Sequence, residues 1–400
     1  MVIVLGKTVY IVGAGASRDG GIPLTREILQ VGYQLVNDLS ERLNQKYEEA
    51  RRRKEKGEPE FKLVSADKLD FLDYLNFNHL YTFKKVYSFL DNTLHWNKDP
   101  SHLPNIKELW GILEIATERH ANFEYAANET TMTSREIKKA LTSLINYVLW
   151  GCKVSDEPKW HVTYTYPKSN SYEGFVKRLP KERTIISLNY DTWLDKAIRT
   201  ANLPVDYGSD FIPYEPEDIK LREEKKSETV LLLKPHGSFN WLYCPTCNLI
   251  EDFGHIHVSH IPIEQTPYRE IDADLLCKYD RTMREAVMVP PSLVKRYGIN
   301  PHLDIIWRRM AEELKTAEKV VFIGYSFRGA DIHIKYILFQ SILINKHNFW
   351  GNEFSITVVN RSDEAIKEYE RWFGKGKIYP LKKTFSEYVE QYMPLDGKQS

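Results

Sequence analysis

Short apolar runs recur along the chain at residues 9–12, 184–188, 230–233, 287–289, 320–323 and 354–359. Each is too short for a helix and stops at glycine, asparagine, lysine or proline, the pattern of a buried strand. Between them lie segments with helical spacing. Ile28, Leu29, Leu35 and Val36 mark one over about 24–43, and Trp193, Leu194, Ala197 and Ile198 open another. Leu303, Ile306, Trp307, Met310 and Leu314 mark a third; Ile334, Ile337, Leu338 and Ile342 mark a fourth, with Asp331 placed to cap it. Strands and helices alternating in this order predict an α/β fold with a mainly parallel, doubly wound sheet.

The pattern changes between residues 61 and 178. Aromatics become dense (Phe71, Tyr74, Phe77, Tyr81, Phe83, Tyr87), and apolar positions such as Ile137, Leu141, Leu144, Ile145 and Val148 keep helical spacing. This predicts a large α-helical insertion over about 41–180 within a single catalytic domain spanning 1–400. A smaller insertion over about 238–285 surrounds a CxxC. Aromatic stripes at helical spacing read as core, not as a base-stacking platform. The charge run RRRKEKGEPE at 51–60 carries no aromatics and reads as a solvated helix end or loop. Residues 203–225 are polar and read as loop.

Composition narrows the class. Hydrophobic residues make up 42% and charged residues 28%, values of a globular chain with a sizeable core. Lys+Arg and Asp+Glu are both 55, so no global field favours nucleic acid or a membrane surface, and no direct nucleic-acid binding is predicted. No apolar stretch is long enough for a membrane span, and the opening MVIVLGK is too short for a signal peptide. The four cysteines, Cys152, Cys244, Cys247 and Cys277, are too few for a disulfide scaffold. A cytoplasmic enzyme is the expectation.

In a doubly wound sheet the ligand lies outside the carboxyl ends of the strands. Those ends here are residues 13–17, 189–191, 236–238, 324–327 and 360, mostly small, polar or ionisable. Together they predict a polar crevice. Three familiar chemistries fail by inspection. Arg18 stands where a dinucleotide fingerprint needs its third glycine, no glycine-rich turn precedes Gly6-Lys7-Thr8, and Arg328 replaces the last glycine of a nucleophile elbow.

Gly13-Ala14-Gly15-Ala16-Ser17 followed by Gly21-Ile22-Pro23 resembles the opening motif of the sirtuin family. Asn189 with Asp191, then His236-Gly237, then Gly324-Tyr325-Ser326 and finally Asn360 resemble that family's later motifs, in order, from about residue 8 to 361. Deacylating sirtuins follow Gly-Ile-Pro with Asp-Phe-Arg, whereas this chain has Leu24-Thr25-Arg26. Asn189-Tyr190-Asp191, the run from Lys234 to Trp241, and Gly-Tyr-Ser-Phe at 324–327 instead resemble the divergent bacterial sirtuin-like branch. That resemblance implies a sirtuin-like Rossmann fold and an NAD glycohydrolase that serves antiphage defence by depleting NAD (abortive infection). It also implies a homo-oligomer, and a partner such as a HerA-family DNA translocase or an Argonaute.

The resemblance assigns roles as well. The N–H groups of Gly13, Ala14, Gly15, Ala16 and Ser17 would take the diphosphate, with Ile22 and Pro23 beside them. Gly324, Ser326 and Asn360 would face the adenosine half. Asn189 would orient water or ribose hydroxyls, His236 would take a proton, and Asp191 would orient a donor or stabilise positive charge. Each has a plainer reading: Asn189 as a turn residue, His236 as a satisfied surface histidine, Asp191 as a helix cap. Cys244 and Cys247, with Cys277 and Asp280, or one of His255, His257 and His260, resemble the family's structural zinc site, but a fourth cysteine is missing. A relic hairpin with no obligatory metal stays equally open. Two other functions remain as alternatives: NAD-dependent protein deacylation or ADP-ribosyl transfer, and a non-catalytic NAD-sensing scaffold.

Overall fold

The computed structural model describes residues 7–56, 72, 75–94, 96, 99–120, 122–124, 131–155, 161–164, 170–180, 183–213, 229–253, 276–289, 300–327, 332–344 and 354–393. They fall into two compact units. One holds the described residues of 7–20, 168–259 and 270–393, and the other those of 21–167.

The first unit is built on a seven-stranded sheet in which every pairing is parallel. Thr8–Val12 lies at its centre and is buried along its whole length. Val9, Ile11 and Val12 have no exposed surface, and each such side chain contributes about 1.5–3 kcal/mol by burial. On one side follow Arg183–Ser187, Val230–Leu233 and the edge pair Val205–Asp206; on the other follow Lys319–Ile323, Ser355–Val359 and Tyr379–Leu381. The direction of winding reverses between Thr8–Val12 and Lys319–Ile323, which makes that junction the topological switch point.

Helices cover both faces, as the side-chain alternation requires. Tyr10 aligns with Val321 and Ile11 with Phe322, so Tyr10 and Phe322 point to opposite faces. Tyr10 meets Phe175 of the Asn170–Val176 helix edge-on at 5.2 Å. Phe322 meets Tyr369 of the Asp363–Phe373 helix at 4.8 Å. The doubly wound sheet expected from the hydrophobic pattern is therefore observed, except that the run at 287–289 belongs to Glu285–Met288, which lies outside it and pairs antiparallel with Gly237–Tyr243. Residues 203–225 are not all loop, however. Val205–Asp206 joins the large sheet, and Ile212–Pro213 joins a four-stranded sheet with Ile250–Asp252, Gly237–Tyr243 and Glu285–Met288. Two-residue strands show no periodicity, so pattern reading cannot find them.

The second unit is helical, with Ile28–Glu55, Phe77–Leu94, Ile106–Glu118 and Ser134–Gly151 around one apolar core. Ile137, Leu141, Leu144, Ile145 and Val148 are all buried there, as are Phe83 and Tyr87, while Phe77 and Tyr81 face solvent. Ile28–Glu55 runs longer than its apolar stripe. Its exposed end carries the i,i+4 pairs Arg53–Glu49 and Arg51–Glu55, at 2.8 and 3.1 Å. The rest of the charge run, like Phe71, Tyr74 and Asp331, lies outside the described residues. Among the described residues no helix is long and apolar enough to cross a membrane.

At the switch point two strand-end turns touch backbone to backbone. A Cβ on Gly13 would lie 2.7 Å from Tyr325 Cα, and one on Gly15 would lie 2.7 Å from the Gly324 carbonyl oxygen. Gly324 itself has φ +62°, and a Cβ there would lie 2.3 Å from the Ala16 nitrogen. Replacement by alanine combines left-handed strain with overpacking against backbone. Gly324→Ala is expected to cost about 3 kcal/mol or more. Gly376→Ala, at φ +77° with nothing within 4 Å, carries the strain alone and should cost about 1 kcal/mol. Urea midpoints of the two variants decide: equal losses would show that the contact contributes nothing.

Candidate functional site

Because the sheet is parallel and in register, five strands end side by side, at Val12, Ser187, Leu233, Ile323 and Val359. The first turn is tied to its neighbour. Gly13 N–H donates to the Ile323 carbonyl at 2.9 Å, Gly15 N–H to the Gly324 carbonyl at 2.8 Å, and Ala16 N–H to the Gly13 carbonyl at 3.0 Å. Three of the N–H groups expected to face a diphosphate are thus used within the protein. Ala14 begins a helix of only five residues, Ala14–Arg18.

Ser17 is the centre of a buried cluster. Its hydroxyl donates to Asp191 Oδ2 at 2.8 Å and accepts from Asn189 Nδ2 at 3.0 Å. Tyr172 OH lies 2.9 Å away and completes the set. One donor and two acceptors is the full capacity of a hydroxyl, so Ser17 joins three site residues and is saturated by them. Asn189 Nδ2 also donates to the Gly13 carbonyl at 3.1 Å. Those bonds fix the amide plane, and what Asn189 can offer a ligand is its Oδ1 acceptor. Asp191 Oδ1 accepts the Trp193 N–H at 3.2 Å, at the start of the Trp193–Thr200 helix. The N-cap of that helix is Thr192, so Asp191 lies one residue outside it, bonded to its first N–H and to the polar cluster at once. Burial raises its carboxyl above the ordinary range, while Lys234 and the Ser17 hydroxyl pull it back down.

His236 follows the third strand end and is 5% exposed. Its Nδ1 lies 3.1 Å from the Leu188 carbonyl oxygen, an obligate acceptor. Nδ1 therefore carries the proton, and in the neutral ring Nε2 is the basic nitrogen. Trp307 and Tyr190 flank the imidazole, each with ring centres 6.3 Å away. The turn that presents His236 needs Gly237, at φ +82°, because a Cβ there would lie 2.0 Å from the Val287 carbonyl oxygen.

The fourth and fifth strand ends also meet. Asn360 Nδ2 donates to the Tyr325 carbonyl at 3.2 Å, and its Oδ1 accepts the Ser362 N–H at 3.0 Å. Asn360 thus holds the turn after Gly324, on which Ser326 is exposed. Ile22 and Pro23 belong to the other unit. The structure therefore brings Gly13, Gly15, Ser17, Asn189 and Asp191 into one set of contacts, joins His236 to it through Leu188, and pairs Gly324 with Gly15.

Sequence reading missed the polar layer beneath these residues. Lys234 is fully buried and donates to Asp195 Oδ2 at 3.1 Å, to the Asp191 carbonyl at 2.7 Å and to Ser238 Oγ. Tyr207 OH donates to the other oxygen of Asp195. Ser238, Asn240, Asp252 and Arg199 continue the chain of hydrogen bonds. Removing one partner of so buried an ion pair costs about 3–5 kcal/mol. The available signal was a lysine closing the apolar run VLLLK ahead of a proline, where a solvated lysine has no room.

The cysteines form a separate centre. Cys247 Sγ lies 3.6 Å from Cys277 Sγ, Cys244 Sγ lies 3.4 Å from Asp280 Oδ2, and all four ligand atoms fall within 4.8 Å of one another. Two turns of the same design hold them. Cys244 N–H donates to Leu249 O and Asn248 N–H to Cys244 O; Cys277 N–H donates to Thr282 O and Arg281 N–H to Cys277 O. Asn248 and Arg281 adopt left-handed φ values of 58° and 61°. Asp280 thus occupies, in the second turn, the position of Cys247 in the first. A tetrahedral zinc with bonds of about 2.3 Å to sulfur and about 2.0 Å to oxygen has edges of about 3.8 Å (S···S) and 3.5 Å (S···O), so the donor set fits. Burial pushes the Cys244 thiol up, but hydrogen bonds from the Cys247 and Thr246 backbone and from neighbouring thiols bring it below its ordinary value. His255, His257 and His260 lie outside the described residues.

Comparison with known proteins adds a domain match. Residues 183–377 match the family model described as a SIR2-like domain. No curated protein matches the chain by sequence. Among solved structures, the chain is similar to a variant Sir2 homologue in complex with ADP-ribose, at 12% identity and a TM-score of 0.38, over 96% of this chain and 88% of that one. It is similar to a Sir2 homologue–NAD complex at 12% identity and a TM-score of 0.38, over 96% and 86%. A sirtuin solved to explain substrate affinity matches at 13% identity and a TM-score of 0.37, over 98% and 94%. The segment from 183 to 377 spans the strand ends of Asn189, His236, Gly324 and Asn360. Residues 183–377 of this chain are therefore a SIR2-like domain.

Proposed function

We propose that the strand-end cluster binds NAD and hydrolyses its nicotinamide–ribose bond, giving nicotinamide and ADP-ribose. The observation that carries this reading is the fixed tautomer of His236, whose Nδ1–H is held by the carbonyl of Leu188, next to Asn189. Water attacks the anomeric carbon as the C–N bond breaks and its electron pair leaves with neutral nicotinamide. The Asn189 Oδ1 acceptor orients that water or a ribose hydroxyl, and His236 Nε2 receives the water's proton and returns it to solvent. Asp191, held by Ser17 and the Trp193 N–H, keeps Asn189 and Ser17 in register. Leu24-Thr25-Arg26, in place of the deacylase Asp-Phe-Arg, favours NAD as the compound destroyed over NAD as a helper in deacylation. By the same resemblance the chain acts as an antiphage effector that depletes NAD, as a homo-oligomer and with a partner such as a HerA-family DNA translocase.

Nicotinamide release from NAD, without any acyl peptide, tests the reaction. The protein, with the product of a neighbouring translocase gene where one exists, should release nicotinamide. Asn189→Ala and His236→Ala should lose activity by about 10²–10⁴-fold with unchanged circular dichroism. Absence of release under every partner condition, or full activity in both variants, would overturn the proposal.

We also propose that Cys244, Cys247, Cys277 and Asp280 hold one zinc ion, which ties the two turns together. Elemental analysis should then find about one zinc per chain, and a chelator should lower the unfolding temperature. Asp280→Cys should retain the metal, whereas Cys247→Ser should lose it. Metal-free protein with an unfolding temperature indifferent to chelator would sink this assignment.

A further inference from the structure

The segment that presents His236 also grips the segment that presents Asn189 and Asp191. Three carbonyls of residues 188–191 accept hydrogen bonds from residues 234–239. Leu188 O takes His236 Nδ1 at 3.1 Å, Tyr190 O takes the Phe239 N–H at 3.0 Å, and Asp191 O takes Lys234 Nζ at 2.7 Å. Of the three donors, only Lys234 is a charged group, and it has no exposed surface. An ammonium has three protons, and three acceptors surround this one: Asp191 O, Asp195 Oδ2 and Ser238 Oγ. Asp195 lies in the first turn of the Trp193–Thr200 helix, and Tyr207 OH orients its other oxygen. The ammonium is thus a three-way joint between the loop of Asn189, the helix after it and the strand after His236.

We infer that Lys234, neutralised by Asp195, is a positioning residue that sets Asn189 and Asp191 against His236. A buried lysine that serves only stability is replaceable, together with its partner, by apolar side chains of similar size. A lysine that sets the spacing of two reacting groups is not, because a misplacement of about 1 Å costs on the order of a hundredfold in rate. The two roles therefore separate in the double variant Lys234→Met with Asp195→Leu, which removes the ammonium and its ion-pair partner together.

The kinetic arm rests on the NAD-hydrolysis reading; the second arm does not. In the first, the double variant should keep KM for NAD within about threefold while kcat falls by roughly 10–100-fold. In the second, the imidazole ¹⁵N signals of His236, assigned by their loss in His236→Gln, should show the Nδ1–H tautomer in the parent chain and a tautomer mixture in the double variant. A double variant with parental kcat and an unchanged His236 signature would overturn the inference. Lack of any NAD cleavage by the parent chain would refute the reaction instead, and the tautomer shift would still decide the positioning role. If the double variant does not fold, Lys234→Gln, which removes the three-way joint but keeps a polar side chain, replaces it: a His236 tautomer mixture supports the inference and an unchanged signature overturns it.

Discussion

The structure depends on one backbone contact, the bond of 2.8 Å from Gly15 N–H to the Gly324 carbonyl. It joins the turn after the central strand to the turn after its neighbour at the point where the sheet reverses its winding. Side chains would hold the two turns apart. Without them, Gly13, Gly15 and Gly324 let the turns close until a single added Cβ would fall between 2.3 and 2.7 Å of backbone atoms. These glycines are required by packing before any ligand is considered. That changes the meaning of a Gly-x-Gly after a strand: close approach of the protein's own backbone accounts for it.

Around that contact the polar residues are arranged in two layers. The upper layer is Ser17, Asn189, Asp191 and His236, at the strand ends. Beneath it lies the layer built on Lys234, Asp195, Tyr207 and Asn240. A buried charge is tolerable only when all its bonds are made, and Lys234 meets that condition with three acceptors. The consequence is a site whose loops are fixed from below, through carbonyls that have no side-chain identity.

The cysteine centre shows the same economy on a smaller scale. Two turns with matching hydrogen bonds and matching left-handed residues each offer two ligand positions, and Asp280 fills the fourth. An apparent defect in the cysteine count is a change of donor within an intact geometry. Carboxylate oxygen is a harder ligand than thiolate, so the exchange keeps four donor positions while changing the character of one.

The architecture of the large sheet and the order of its strand ends are legible in the local pattern of the chain. Apolar runs at 9–12, 184–188, 230–233, 320–323 and 354–359 are local signals, and burial on both faces of a parallel strand leaves them unmistakable. The sequence also determined which residues close those strands, hence Asn189, His236 and Asn360 as a set. Tertiary structure alone decided how they are used. That Ser17 is saturated by Asn189, Asp191 and Tyr172 follows from residues 155 to 174 positions apart meeting in space. The tautomer of His236 follows from a carbonyl, and carbonyls are the same in every residue. Lys234 reads as an ordinary strand-end cation until the depth of its burial is known. Periodicity reports which face a residue takes; it carries no information about which distant partner waits there.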